Sequence, residues 1–375
     1  MKKTKSERSV GFAIIGCGLI SRFHARAIRE LPGAKLIGCY DRVGSAAQRL
    51  AKEFDILNLQ DLDELLRNDR VDVVTVATPS GAHLEPAVAA ARAGKHVIVE
   101  KPLEITLSRC DKIIRECEKA GVLLSTIFPS RFHRCWHLLK EAIAQGRFGK
   151  LSLGDAYVKW FRTQEYYDSG QWRGTWEFDG GGALMNQAIH TVDLLIWLMG
   201  PIVRVSSHVA TLAHNRIDVE DVATASLQFE NGALGVIEAT TAAFPGWLKK
   251  IEIHGSHGSV SIEEENIRVW QFAHMTAKDR KIVDDFSHQT RSGGGASDPT
   301  AISHAGHTQQ FEDVIRAIQS RTQPLIDGHE GRRSVEVILA IYKSAQTGKD
   351  IRLPLTRDPK LASRRTRPSK KSTRK

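Results

Sequence analysis

Residues 13–28 read AIIGCGLISRFHARAI, and this stretch decides the fold. An apolar run ends at Ile15, and Gly16, Gly18 and Ser21 follow in the spacing G-x-G-x-x-S before an amphipathic stretch begins. A strand that turns on glycine straight into a helix brings the helix's unpaired N–H groups and its positive end to one point. Gly16 permits the tight turn, and Gly18 presents no side chain, so a pyrophosphate can approach the backbone. Ser21 stands where a third Gly or Ala is usual and is still small enough for close packing. Glycine turns of this kind are common, so the spacing alone is weak. The second strand adds to it by ending at Asp41, 25 residues after Gly16, where a carboxylate can accept from ribose hydroxyls. The segment therefore predicts a dinucleotide site drawing on Gly16, Gly18, Leu19, Ile20 and Asp41. Asp41 repels a 2′-phosphate and favours NAD, whereas Arg42 can pair with that phosphate and keeps NADP open.

Outward from this motif, strand-like runs at Val10–Ile15, Lys35–Tyr40, near Ile56, Val71–Ala77, His96–Val99 and Val122–Ile127 alternate with helical patterns. Uncharged, β-branched strands alternating with helices predict a parallel sheet covered on both faces, the doubly wound Rossmann arrangement, over residues 10–128. The pattern then changes. A helix near Trp136–Gln145, a strand Leu151–Phe161 and a helix Leu184–Met199 precede several strands joined by short turns between Val203 and Gln271. Consecutive strands with short turns imply an antiparallel sheet, so 129–355 reads as a second α/β domain. Phe286–Ser303 reads as a long loop, followed by helices near His307–Ser320 and Glu330–Gln346.

The net charge of +10 suggests nucleic acid until it is divided along the chain. Residues 356–375 carry +8 and the first eight residues +3, which leaves the body at −1. The folded part lacks the basic footprint of a nucleic-acid enzyme. The 1–9 extension and the 356–375 tail are polar and basic, and the tail is expected to be disordered. No apolar run reaches the ~18 residues of a membrane span, and a strand rather than a signal peptide follows the basic start. Five scattered cysteines without a C-x-x-C pair fit buried, reduced thiols, and a cytoplasmic location is expected.

Two further segments carry chemistry. In VVTVATPSGAHLEPAVAAARAGKHVIVEKPL (73–103), Thr78 and Pro79 end one strand, and Glu100 and Lys101 end the next, at the carboxyl edge where ligands bind such sheets. A Glu-Lys pair is often only a solvated turn. Position instead sets Lys101 beside the expected nicotinamide, where it can stabilise a developing alkoxide. In WRGTWEFDGGGALMNQAIHTVDLLIWLMG (172–200), Asn186, His190 and Asp193 share one helix face. A metal is disfavoured because no further His or Cys lies at ligand spacing. A buried histidine is the plain reading of His190, but the glycines before the helix indicate a backbone that approaches something closely.

Together these motifs resemble the glucose–fructose oxidoreductase, inositol dehydrogenase and MocA superfamily. The resemblance runs from Val10 to Leu355 through the glycine loop, ATPSGAH, AGKHVIVEKPL, GGALMNQAIHTVDLL and DGHEGRRSVEVILAIYKSA. It implies an N-terminal Rossmann domain, a C-terminal domain with a large, mostly antiparallel sheet, and a homodimer or homotetramer. It adds His83 to the cofactor contacts and makes Lys101 and His190 catalytic, with His190 as general base toward a hydroxyl of a sugar or cyclitol. Inositol dehydrogenase-like members carry an acid at the position of Asn186, so that specific activity is weakened here. Asn186 and Asp193 are then expected to orient substrate or His190. Arg162, Tyr166, Tyr167, Trp172 and Arg173 are expected to line the sugar pocket. Oxidation followed by elimination, giving net glycoside hydrolysis, and a non-catalytic sensor are the alternatives, and both Lys101 and His190 being present argues against the sensor.

Overall fold

The computed structural model describes residues 9–287, 295–296 and 303–361. Residues 10–126 form β1 (Val10–Ile15), α1 (Leu19–Glu30), β2 (Ala34–Tyr40), α2 (Gly44–Phe54), β3 (Leu57–Asn58), α3 (Leu62–Arg67), β4 (Val73–Val76), α4 (Leu84–Arg92), β5 (His96–Val99), α5 (Leu107–Ala120) and β6 (Leu124–Thr126). Their parallel sheet runs in the order β3-β2-β1-β4-β5-β6. β1 is buried along its whole length, as a strand covered on both faces must be. Side-chain caps fix the starts of two helices: Asp61 accepts from Glu64 N–H at 2.7 Å, and Thr106 from Arg109 N–H at 3.4 Å.

The rest comprises α6 (Arg134–Ala144), β7 (Leu151–Lys159), α7 (Gln164–Asp168), a π-helical segment Ala183–Ala188 running into α8 (Ile189–Met199), β8 (Ile202–Ala210), β9 (Val222–Phe229), β10 (Leu234–Thr240), β11 (Lys250–Gly255), β12 (Gly258–Glu263), β13 (Asn266–Phe272), α9 (Ala277–Ser287), α10 (Ala305–Ser320), α11 (Gly328–Thr347) and β14 (Ile351–Arg352). The second sheet has the order β13-β12-β11-β7-β10-β9-β8-β14 and is antiparallel except where β7 lies parallel to β10. Burial alternates along β9, so one face of this sheet packs on α8 and α11 and the other is open.

Four features differ from the sequence reading. The long α-helix expected over 184–199 begins with a π turn, and α9 occupies a stretch left unassigned. The second domain is not confined to its own sheet. Phe311, Val314 and Ile315 of α10 join the core beneath β1, with the Phe12 and Phe311 rings edge to face at 5.8 Å. Nor does order stop at Leu355. Asp358 accepts from the N–H groups of Leu107 and Ser108 at 2.6 and 3.2 Å, capping α5, and Leu361 packs on the core. The proposed loop 286–303 lies largely outside the described residues.

Candidate active site

A cavity of about 1510 Å³ runs from the glycine loop, past the carboxyl ends of β4 and β5, to the start of α8. That is larger than the roughly 300–1,000 Å³ of an ordinary small-molecule site and accommodates two ligands end to end. At its first end Gly16 has φ +93°, and a Cβ there would lie 2.6 Å from the Ala77 carbonyl carbon. Gly18 has nothing within 4 Å of its virtual Cβ, and α1 starts there with no side-chain cap. Open space over uncapped N–H groups is what a pyrophosphate needs. Asp41 Oδ2 accepts from Cys17 N–H at 2.7 Å and Oδ1 from Val43 N–H at 2.7 Å, so the carboxylate ties loop to strand and keeps lone pairs for ribose hydroxyls. Leu19 and Val43, 46% and 59% exposed, give this end an apolar wall fit for a base, together with Ile20; Arg42 lines it too. Val43 was missed because a lone valine after Asp41 carries no pattern.

Thr78 and Pro79 line the middle of the cavity, but His83 does not. Its ring nitrogens lie 2.9 Å from the carbonyls of Pro102 and Thr78, so it staples the ends of β4 and β5 from beneath. Glu100 lines the cavity with its carboxylate already engaged: Oε1 lies 2.8 Å from His24 Nε2 and 3.8 Å from His307 Nε2, and Oε2 accepts from Lys101 N–H at 3.0 Å. The two histidines hold its carboxyl well below the usual range despite burial. His24, Glu100 and His307 are the one grouping among the described residues with the donor set of a metal site. The sequence hides them, because 76 and 207 residues separate the partners of Glu100 from it.

Lys101 Nζ donates to the Asn186 carbonyl at 2.8 Å, which joins the two domains at the reacting end. Burial lowers its pKa, opposed by Glu100 and Asp179. His190 lies in the same wall, its ring edge-on to Phe128 at 5.7 Å and its Nδ1 buried without a partner among the described residues. Burial, then the Lys101 charge, keep it well below its ordinary pKa, so it is neutral and able to accept a proton. Asn186 Nδ2 donates to Asp179 Oδ1, a buried acid pushed up to about 6 by desolvation. The carboxylate absent from position 186 thus reaches the site through Asp179, seven residues earlier.

Two expectations change here. Asp193 leaves the site. It is 1% exposed and held at both oxygens by Arg131, at 2.8 and 2.7 Å, because the helix face below the π turn points into the core. Tyr167 is packing: its hydroxyl meets Thr241 at 2.8 Å and its ring lies 4.6 Å from that of His214. Arg162, Tyr166, Trp172 and Arg173 do line the cavity. The glycines before α8 approach protein rather than ligand. A Cβ on Gly182 would fall 1.7 Å from the Glu220 carbonyl oxygen, and one on Gly181 2.1 Å from the Tyr342 hydroxyl. Glu220, which sequence reading missed, accepts from Gly182 and Leu184 N–H at 2.9 and 2.8 Å and fixes the start of the π turn.

Comparison with known proteins agrees with this geometry. The family model described as "Oxidoreductase family, NAD-binding Rossmann fold" matches residues 10–128, and that of the "GFO/IDH/MocA C-terminal domain" matches 136–261. The chain belongs to the Gfo/Idh/MocA oxidoreductase family. It is an NAD-binding oxidoreductase, and its family acts on sugar-like substrates. Among solved structures it is similar to the WlbA dehydrogenase from Bordetella pertussis in complex with NADH and UDP-GlcNAcA. The two are 36% identical with a TM-score of 0.85, covering 93% of this chain and 99% of that one. A myo-inositol 2-dehydrogenase of Thermotoga maritima is 27% identical over 91% of this chain and 97% of its own length. A 2,7-anhydro-N-acetylneuraminate hydratase of Mediterraneibacter gnavus is 29% identical over 68% of each. No helix among the described residues is long and apolar enough to cross a membrane.

Proposed function

We propose that the enzyme oxidises a secondary hydroxyl of a nucleotide-linked hexuronic acid, with Lys101 and His190 as its catalytic residues. The observation that carries this reading is a cavity large enough for a dinucleotide and a second extended ligand, with Lys101 and His190 where the two would meet. Similarity to a dehydrogenase bound to NADH and UDP-GlcNAcA supports the choice of substrate class.

Bound nicotinamide supplies the hydride acceptor. Neutral His190 takes the hydroxyl proton as general base. Lys101 has three N–H donors and uses one on the Asn186 carbonyl, which leaves others for the substrate oxygen as negative charge develops. Asp179 orients the Asn186 amide and opposes the desolvation of Lys101. Asp41 supports NAD over NADP, since a 2′-phosphate would face a carboxylate.

The test is to incubate the purified enzyme with NAD and UDP-GlcNAcA and follow reduced cofactor and sugar together. One NADH per ketone formed is expected. Substrate consumed without NADH would replace this reading by oxidation and elimination, the second reading that similarity to the hydratase supports.

A further inference from the structure

Three cations face the sugar end of the cavity: Lys101, Arg162 and Arg173. Two other cations of the cavity are neutralised by acids, Lys249 by Glu264 at 3.1 Å and Arg109 by Glu104 at 2.9 Å, and Arg42 stands at the opposite end beside Asp41. Among the described residues, neither Arg162 nor Arg173 meets a carboxylate within ion-pair distance. Asp179, the acid that acts on this group from further away, is engaged by Asn186 and by Gly174 N–H at 2.9 Å.

Arg162 is the more telling of the two. It is 3% exposed and held by the carbonyls of Phe161 at 2.9 Å, Gly295 at 2.7 Å and Ala296 at 3.1 Å and by Gln187 Oε1 at 2.9 Å, while its Nε has no partner among the described residues. A buried guanidinium without an acid is costly unless something negative comes to it. Arg173 lies over the Tyr166 and Trp172 rings, 4.4 Å from each centroid, and gives one N–H to the Tyr166 oxygen at 2.8 Å. That oxygen also accepts from Gln187 Nε2 at 2.9 Å. A phenol has two lone pairs, so with both occupied its own proton must be donated elsewhere. The remaining Arg173 donors and the Tyr166 O–H therefore converge on the cavity, in front of a buried positive charge.

We infer that Arg162, Tyr166 and Arg173 form a receptor for a carboxylate on the substrate's sugar, and that this receptor selects hexuronates over neutral hexoses. The inference rests on the proposed function and names what in the site would recognise the acid. Arg173 supplies the adaptable charged donor, its guanidinium matching a carboxylate fork to fork. Arg162 supplies fixed charge, and Tyr166 fixes direction.

The test compares wild type with Arg173→Gln and Tyr166→Phe on UDP-GlcNAcA and on UDP-GlcNAc, which has a hydroxyl in place of the acid. Loss of charge-assisted hydrogen bonds predicts a KM for the acid about 10–100-fold higher in Arg173→Gln, with kcat little changed. The neutral sugar should respond little, and NAD affinity should be that of wild type, which shows the variant is folded. Equal losses on both sugars, or an acid preference that survives Arg173→Gln, would overturn the receptor. If wild type oxidises neither nucleotide sugar, the proposed function fails, and calorimetry of free glucuronate against glucose on the NADH complex judges the receptor by itself. Glucuronate binding that Arg173→Gln abolishes would support it; both sugars binding alike, or neither binding, would overturn it.

Discussion

His190 and Lys101 line one cavity from either side of a domain boundary, and in the proposed mechanism each supplies something different to the transition state. Proton transfer by a positioned group is worth about 10²–10⁴ in rate, so His190→Ala should lower kcat on that scale while leaving NAD affinity unchanged. Asp179 sets the pH behaviour. Burial pushes its carboxyl up to about 6, while burial and the Lys101 charge push His190 down from its ordinary value, so the proposed mechanism assigns the acid limb of kcat/KM to Asp179. Activity should fall as pH drops through about 6, where Asp179 gains its proton and no longer supports the Lys101 charge. Asp179→Asn should flatten that limb and lower the plateau; a profile identical to wild type would assign the limb elsewhere. Lys101 and His190 sit in local motifs at a strand end and a helix start, so the sequence could single them out, and the structure puts both on the cavity wall. Asp179 is only seven residues from Asn186, yet its role was invisible, because the π turn that lets them meet is a hydrogen-bond register and not a residue pattern.

The π turn and α8 form the element proposed to carry the chemistry, and buried polar groups far off in sequence hold it. Glu220 anchors its start, and Arg131 ties Asp193 of α8 to Glu330 of α11, the latter at 2.7 Å. Such partners lie 36 to 199 residues apart, which is why spacing placed Asp193 beside His190 by face and could not tell cavity from core. Breaking a buried ion pair costs about 3–5 kcal/mol, and Asp193→Asn should fall at the lower end because Glu330 still meets Arg131. Denaturant unfolding should show this loss with NAD affinity preserved in the folded protein. A stable variant with impaired turnover would return Asp193 to the site.

At the scale of the molecule, alternation of strands and helices pointed to a doubly wound parallel sheet in the first domain, since each crossover is local. Domain boundaries were less legible: α10 completes the first core from the far end of the sequence, and Asp358 caps α5. Truncation after Leu361 should therefore leave stability unchanged, whereas truncation after Leu355 should cost about 1 kcal/mol through the lost cap. Equal melting temperatures for the two would remove Asp358 from the fold's support. Cofactor choice depends on the opposite edge of the same sheet. Calorimetry should give NAD the tighter Kd, and equal or inverted affinities would mean that Arg42 rather than Asp41 governs the ribose. Hydride transfer to NAD at Lys101 and His190 is read out by rapid mixing of the NAD-loaded enzyme with UDP-GlcNAcA. Such transfer predicts a first turnover that reduces one cofactor per site in wild type and is slowed by orders of magnitude in Lys101→Ala and His190→Ala. Reduction at the wild-type rate in both variants would contradict it.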